Sequence, residues 1–119
     1  MTLTFNDCHK AAKIIADKIR CASGSYTGVY GIPRGGMIPA AMVAYHLRIP
    51  VVPEFRCVSA KNILIVDDTI ITGHTLRRWN NCDIAVIAIH ADNIAYCNTQ
   101  YVKYYGLIIN DSVKFEWEW

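Results

Sequence analysis

The sequence predicts an α/β fold, with a doubly wound, mainly parallel sheet of about five strands and helices between them. Several short segments are almost entirely apolar rather than alternating, which is typical of strands buried on both faces. Helical segments separate these apolar segments, and strand, helix, strand is the order of a parallel sheet. The chain of 119 residues is long enough for one core. We therefore expect a single domain over residues 1–119.

The first predicted helix begins after Thr4. Thr4 and Asp7 have the spacing of a capping box, in which the two residues satisfy each other's backbone N–H groups. An apolar stripe follows at every fourth position, at Ala11, Ile15 and Ile19. The Ser23-Gly24-Ser25 stretch is predicted to end this helix.

The remaining segments follow in alternation. The predicted strands are Val29–Ile32, Ile63–Val66, Ile84–Ile89 and Gly106–Ile109, and the predicted helices are Ile38–Leu47 and Thr75–Trp79. Ligands of such sheets bind beyond the carboxyl ends of the strands, where the winding direction switches. Two chemically unusual loops are expected there, Pro33–Gly36 and Asp67–Thr75.

The composition excludes several classes of protein. A net charge of +2 is below the strongly basic balance of a dedicated nucleic-acid binder. The five cysteines are scattered with no C-x-x-C pair, which favours a reducing compartment. The first residues lack a signal-peptide pattern, and no apolar run approaches the ~18 residues of a membrane span. We expect a soluble, cytoplasmic protein with no membrane partner.

The loop from Asp67 to Thr75 joins two opposite electrostatic features. The carboxylates of Asp67 and Asp68 can accept hydrogen bonds from vicinal hydroxyls or hold a hydrated Mg²⁺. The Thr72–Thr75 segment opens a helix, where free N–H groups and hydroxyls can bind a phosphate. A ribose 5-phosphate fits this spacing. Receiver domains and nucleotide hydrolases also carry adjacent acids after an apolar strand, but they lack the T-G-x-T loop at this distance.

Four apolar residues, two adjacent acids and a T-G-x-T loop resemble the phosphoribosyl pyrophosphate motif of type I phosphoribosyltransferases. The resemblance implies that phosphoribosyl pyrophosphate and its 5-phosphate contact Asp67, Asp68, Thr69, Ile70, Ile71, Thr72, Gly73, His74 and Thr75. It also implies the family's core fold, here with a reduced flap and hood.

The segment from Gly31 to Ala40 resembles the pyrophosphate loop of the same family. The residues implied to bind pyrophosphate are Pro33, Arg34, Gly35 and Gly36. In this interpretation Arg34 supplies the charge, and Gly35 and Gly36 permit close approach of the ligand. The tail Asp111–Glu118, which contains Phe115–Glu118, resembles the base-binding tail of the bacterial purine-type members.

The resemblance implies transfer of the 5-phosphoribosyl group to a purine-like base, with release of pyrophosphate and use in nucleotide salvage. Catalysis would rest on Arg34 at the leaving group and on Asp67 and Asp68 facing the cationic ribose. Mg²⁺ is the implied cofactor, with Asp68 as its ligand. The base would contact His90, Phe115 and Trp117. Relatives are commonly homodimers.

The chain departs from the family in three places. Ile71 stands where members often carry an aspartate that manages a proton on the base, and His90 stands nearest to the place of their base-binding lysine. The third departure is the link from Val51-Val52 to Ile63. It has only the ten residues Pro53 to Asn62, so it reaches about 33 Å and leaves little slack for a flap. These departures favour an alternative, a catalytically idle regulatory relative that binds phosphoribosyl pyrophosphate or nucleotides.

Overall fold

The computed structural model describes residues 1–53, 62–69, 79, 82–93 and 102–118. Their elements, in chain order, are β1 (Thr2–Leu3), α1 (Phe5–Cys21), β2 (Gly28–Gly31), α2 (Met37–Leu47), β3 (Ile63–Thr69), β4 (Asp83–His90), a 3₁₀ turn (Ala91–Asn93), β5 (Tyr104–Ile109) and β6 (Lys114–Phe115). The helix expected at Thr75–Trp79 lies outside the described residues, apart from Trp79, which occupies a turn.

The predicted α/β architecture is confirmed. Strands β2 to β5 form a four-stranded parallel sheet in the order β2-β3-β4-β5. Among the described residues, four strands form this sheet, and β1 and β6 form a separate parallel pair.

Beside the free edge of β2, the chain forms a single parallel β-bridge rather than a further strand. Val51 pairs in parallel with Val29 on the free edge of β2, where the Val52 N–H donates to the Val29 carbonyl at 2.7 Å. Pro50 and Pro53 flank this bridge and have no N–H to donate, which limits a longer ladder.

The position of Val51 also defines where the winding of the sheet reverses. After β2 the chain passes through α2 to Val51 on one side of β2, whereas β3 and β4 lie on the other side. The carboxyl ends of β2 and β3 therefore form the switch point at which parallel sheets bind ligands.

Strand β3 is longer than the sequence pattern predicts. The apolar run ends at Val66, but the strand continues through Asp67 and Asp68 to Thr69, and Thr69 pairs with Ala88 of β4. Pairing with β4 carries the strand beyond the apolar run, because backbone hydrogen bonds do not depend on side-chain polarity.

The predicted capping box at the start of α1 is confirmed. The Asp7 N–H donates to Thr4 Oγ1 at 3.0 Å, and the Thr4 N–H donates to Asp7 Oδ2 at 3.0 Å. The hydrogen bond from the Thr4 backbone N–H to the carboxylate, followed by the interaction with the Thr4 hydroxyl, lowers the pKa of Asp7. Helix α2 has no side-chain cap at its start and ends at Arg48, which has left-handed backbone angles.

The two faces of the sheet carry separate hydrophobic clusters. Leu64 and Val66 of β3 point to the face covered by α1 and α2. Ile65 points to the other face, where it packs with a cluster that includes Trp79 and Val102. Successive side chains of a strand alternate between faces, so the same alternation places Asp68 on the helix-covered face and Asp67 on the opposite one.

No helix among the described residues is long and apolar enough to cross a membrane. Three of the cysteines, Cys8, Cys21 and Cys82, lie in the described part of the chain, and neither Cys8 nor Cys21 forms a disulfide.

Candidate functional site at the ends of β2 and β3

The loop after β2 is held against β3 by its backbone. The Ile32 N–H donates to the Val66 carbonyl at 2.9 Å, and the Gly36 N–H returns to the Ile32 carbonyl at 2.8 Å. The peptide bond between Pro33 and Arg34 is cis. A Cβ on Gly36 would meet the Val66 carbonyl and the Ile32 backbone far inside contact distance. Position 36 therefore requires a glycine, because the backbones at the ends of β2 and β3 approach it too closely for a side chain.

Gly35 lies directly against the carboxylate of Asp68. A Cβ on Gly35 would collide with Asp68 Oδ2. The other oxygen, Oδ1, accepts a hydrogen bond from the Thr69 N–H at 2.6 Å. Asp68 is thereby fixed at one oxygen, while the second oxygen faces the loop that follows β2.

The two adjacent acids occupy different environments. Asp67 Oδ1 accepts the Asp68 N–H at 2.8 Å. Burial, together with the charge of the neighbouring Asp68 carboxylate, raises the pKa of Asp67 to about 7. The Asp67 carboxyl is thus partly protonated near neutral pH.

The tail at the carboxyl end is fixed by the start of the chain. The Glu116 N–H donates to the Leu3 carbonyl at 2.9 Å as part of the pairing between β1 and β6. The Glu116 carboxylate accepts the Phe5 N–H at 2.5 Å, the first free donor of α1. These contacts place the following residue, Trp117, over the core.

Trp117 contacts two aromatic rings. Its ring stacks on Phe115 with a centroid distance of 4.9 Å and meets Phe5 at 5.8 Å. Phe115 itself is 1% exposed and belongs to the core, so it supports Trp117 from below.

A cavity of about 400 Å³ connects these features. Its lining contains Arg34, Gly35, Asp68, Trp117 and Glu118. Residues from three distant parts of the sequence therefore meet at the switch point. Its position and its mixture of a guanidinium, carboxylates and an indole suit a ligand that has both a phosphate and a flat ring.

Glu118 was missed as a site residue by sequence reasoning. Its carboxylate reaches the Phe115 N–H at 3.3 Å, which keeps the side chain beside Trp117 at the cavity. The only signal in the sequence is its place in the Phe115–Glu118 tail, and that tail does not indicate which of its two glutamates faces a ligand.

The cavity lining does not include His90. The His90 Nε2 lies 2.8 Å from the Asn110 carbonyl, and the Asp92 N–H donates to Nδ1 at 3.1 Å. This pattern requires the tautomer with hydrogen on Nε2 and joins the ends of β4 and β5. Both ring nitrogens are therefore already engaged by the protein, and a role for His90 in base binding stays a prediction.

The predicted phosphate loop, residues 70–75, lies outside the described residues, as do residues 54–61 of the link before β3. In the part of the chain that the structure describes, no three His, Cys, Asp or Glu side chains cluster as metal ligands. Asp68 offers a carboxylate at the cavity. One or two carboxylates together with phosphate oxygens of a substrate are the usual ligands of Mg²⁺, so the residues present fit that ion.

No protein-family model matches the sequence. Among curated proteins, a xanthine-guanine phosphoribosyltransferase of Nitratidesulfovibrio vulgaris is 30% identical over 95 residues, which cover 63% of this chain and 57% of that enzyme. The chain thus spans little more than half the length of the curated relatives that it matches.

Solved structures extend the similarity to the whole chain at the level of fold. A purine phosphoribosyltransferase from Pyrococcus horikoshii is 23% identical, with a TM-score of 0.75 over 100% of this chain and 94% of that one. A hypothetical protein from Neisseria gonorrhoeae with bound ppGpp is 22% identical, with a TM-score of 0.76 over 98% of this chain and 88% of that one.

Proposed function

We propose that this chain is a type I phosphoribosyltransferase, which transfers the 5-phosphoribosyl group from phosphoribosyl pyrophosphate to a purine-like base. Its similarity to a xanthine-guanine phosphoribosyltransferase, and in fold to a purine phosphoribosyltransferase, supports the proposal. The observation that carries the proposal is the cavity at the switch point, where Arg34, Asp68 and Trp117 converge. Each of the three side chains suits a different part of the two substrates.

Arg34 is the cation for the leaving group. It is exposed in the loop after β2, next to Gly35, where the ligand can approach the backbone closely. A guanidinium binds phosphate oxygens with two parallel hydrogen bonds, so Arg34 would stabilise the charge that develops on pyrophosphate.

Asp68 is the carboxylate for the ribose. Asp68 lines the cavity, and its Oδ2 lies beside Gly35, another lining residue; there it would accept hydrogen bonds from the ribose hydroxyls and stabilise positive charge on the sugar ring. Asp68 would also bind Mg²⁺ together with oxygens of the ligand. When bound, Mg²⁺ neutralises charge on the departing pyrophosphate. Asp67 lies on the opposite face of β3, and its Oδ1 accepts a hydrogen bond from the backbone N–H of Asp68.

Trp117 is the candidate ring for stacking with the base. One of its faces is covered by Phe115, and the residue still lines the cavity. A purine stacked on the indole would lie beside Glu118, whose carboxylate can accept a hydrogen bond from a ring or exocyclic N–H of the base.

A second candidate function is nucleotide binding without transfer. The Neisseria gonorrhoeae relative carries ppGpp, and this chain has Ile71 in place of the aspartate that often serves the base. The same cavity could then hold a nucleotide as a regulatory ligand.

Incubation with phosphoribosyl pyrophosphate, Mg²⁺ and a panel of purine bases, with pyrophosphate release as the readout, distinguishes the two functions. We expect release that depends on a base and is abolished by Asp68→Asn. Saturable binding of phosphoribosyl pyrophosphate without release for any base would favour the regulatory function. Unchanged phosphoribosyl pyrophosphate binding in Asp68→Asn, measured by calorimetry, would contradict both functions.

A further inference from the structure

A second cavity lies at the opposite end of α2 from the candidate active site. It has a volume of about 660 Å³, and its lining includes Lys13, Arg20, Tyr45, His46, Arg48 and Val51. Small-molecule sites have volumes of about 300–1,000 Å³. The active-site loop precedes the first residue of α2, whereas the lining here starts at Ala41 in the middle of the helix and continues beyond its end to Val51. The two cavities share no lining residue.

The charge of this cavity is positive. Lys13 and Arg20 of α1 share one carboxylate, that of Asp17, at 3.5 and 3.3 Å, and Arg20 also donates to the His46 carbonyl. Arg48 has no hydrogen bond or ion pair from its side chain to any described residue. Three cations therefore face the cavity against one nearby anion.

The pKa of His46 is also affected by the positive charge around this cavity. Burial lowers its pKa, and the neighbouring His9, Lys13 and Arg20 lower it further. Its Nε2 atom is buried without a hydrogen-bond partner.

The backbone at Arg48 is a second unusual feature. Its φ of 58° and ψ of 42° are left-handed, which favours glycine or asparagine at the end of a helix. A long cation at this position costs backbone energy that an asparagine would avoid, and its guanidinium is placed at the cavity. Residues held in such backbone conformations cluster at ligand-binding and active sites.

The other part of the lining is apolar and aromatic. Tyr45 is 72% exposed and Val51 is 46% exposed, and both line the cavity. The Tyr45 ring packs edge-to-face against the His46 ring, with a centroid distance of 5.3 Å. The cavity thus offers a flat apolar surface next to a group of cations.

We propose that this cavity binds an organic phosphate with a flat ring, the chemical class of nucleotides. Its phosphates would contact Lys13, Arg20 and Arg48, and its ring would pack on Tyr45. Because the linings of the two cavities share no residue, a ligand here would be bound together with one at the switch point rather than in competition with it.

The test uses ATP as the probe and follows the ring signals of His9 and His46 by NMR, since these report on the second cavity alone. We expect saturable shifts that persist in Asp68→Asn and weaken as salt is added. Inorganic triphosphate should bind more weakly than ATP. Absence of shifts, or shifts lost in Asp68→Asn, would overturn the proposal; the latter result would assign the binding to the switch point.

Arg48→Asn removes the charge and suits the left-handed backbone, so the fold should persist. We expect it to weaken ATP binding about tenfold or more, whereas Arg48→Lys restores most of the affinity. Lys10→Gln, which removes an exposed cation of α1 outside the cavity, is the matched control and should bind as the wild type does. Equal affinity of Arg48→Asn and Lys10→Gln would contradict the proposed site.

Discussion

At the scale of single residues, the candidate active site depends on how Asp67 and Asp68 differ. They are adjacent in sequence, yet the alternation of β3 directs them to opposite faces of the sheet. Asp68 lines the cavity with Arg34, whereas burial and the charge of Asp68 raise the pKa of Asp67 to about 7. Asp68 is therefore the carboxylate at the cavity, and Asp67 is a carboxyl group with a raised pKa.

The raised pKa of Asp67 predicts that this residue makes stability fall as pH rises. Between the ordinary pKa of 3.8 and the folded pKa of about 7, the unfolded chain has lost this proton and the folded protein retains it. Deprotonation thus favours unfolding, by up to about 1.4 kcal/mol per pH unit in this window. Above pH 7 the effect levels off.

Urea unfolding at several pH values between 4 and 8 measures this contribution. Asp67→Asn should flatten the fall in stability relative to the wild type. Asp111→Asn, which changes an exposed carboxyl, should leave the pH dependence unchanged. Parallel curves for the wild type and Asp67→Asn would contradict the assigned pKa shift.

The two glycines of the loop after β2 should respond differently to an added methyl group. In Gly35→Ala the methyl meets only the tip of the Asp68 side chain, which can rotate away. We expect a stability loss below about 1 kcal/mol, but about tenfold weaker binding of phosphoribosyl pyrophosphate, because the carboxylate leaves its position.

Gly36→Ala is the matched contrast. Its methyl meets the Val66 carbonyl and the Ile32 backbone, which cannot move without separating the ends of β2 and β3. We expect a loss of stability of about 1 to 3 kcal/mol. Denaturant unfolding and calorimetric titration of both variants test this contrast. A smaller loss of stability in Gly36→Ala than in Gly35→Ala would contradict it.

At the scale of elements, α1 links the start of the chain to the candidate base site. Thr4 and Asp7 cap its first turn, and the Glu116 carboxylate accepts the Phe5 N–H. The helix thereby contacts the tail that carries Trp117, both through this bond and through the Phe5 ring. The position of the tail therefore depends on a well-formed first turn of α1.

Thr4→Ala should lower the free energy of unfolding by about 1 kcal/mol, since it leaves the Asp7 N–H without its acceptor. The bonds of a capping box are reciprocal, so the double variant with Asp7→Ala should cost less than the sum of the two single changes. Thr2→Ala at an exposed position of β1 is the control. Additive costs in urea unfolding would show that the two residues act separately.

At the scale of the whole molecule, the cavity exists because three segments far apart in sequence converge. The loop after β2 supplies Arg34 and Gly35, the end of β3 supplies Asp68, and the tail supplies Trp117 and Glu118. The parallel sheet aligns the first two, and the pairing of β1 with β6 brings in the third. The phosphate side and the ring side of the site are therefore built by different parts of the fold.

This division predicts separable effects on binding. Trp117→Leu should weaken binding of GMP about tenfold through lost stacking, while binding of phosphoribosyl pyrophosphate, which has no base, stays within about twofold. Calorimetric titration of both ligands against both proteins measures the difference. Equal losses for the two ligands would indicate a general disturbance of the cavity rather than a base site.

The sequence by itself determined the features that depend on neighbouring residues. The apolar runs predicted every strand of the main sheet to within three residues at each end, and the spacing of Thr4 and Asp7 predicted the cap of α1. The loop after β2 and the acids after Val66 were also recognisable, because their residue types and spacing are local properties.

Only the tertiary structure decided which of these residues meet. Asp68 rather than Asp67 lines the cavity, since the face of β3 that α1 and α2 cover is set by packing across the sheet. Glu118 enters the site through a strand pair between the two ends of the chain, and Arg48 joins cations of another helix. Such contacts depend on long-range pairing and burial, which the pattern of residues along a chain does not specify.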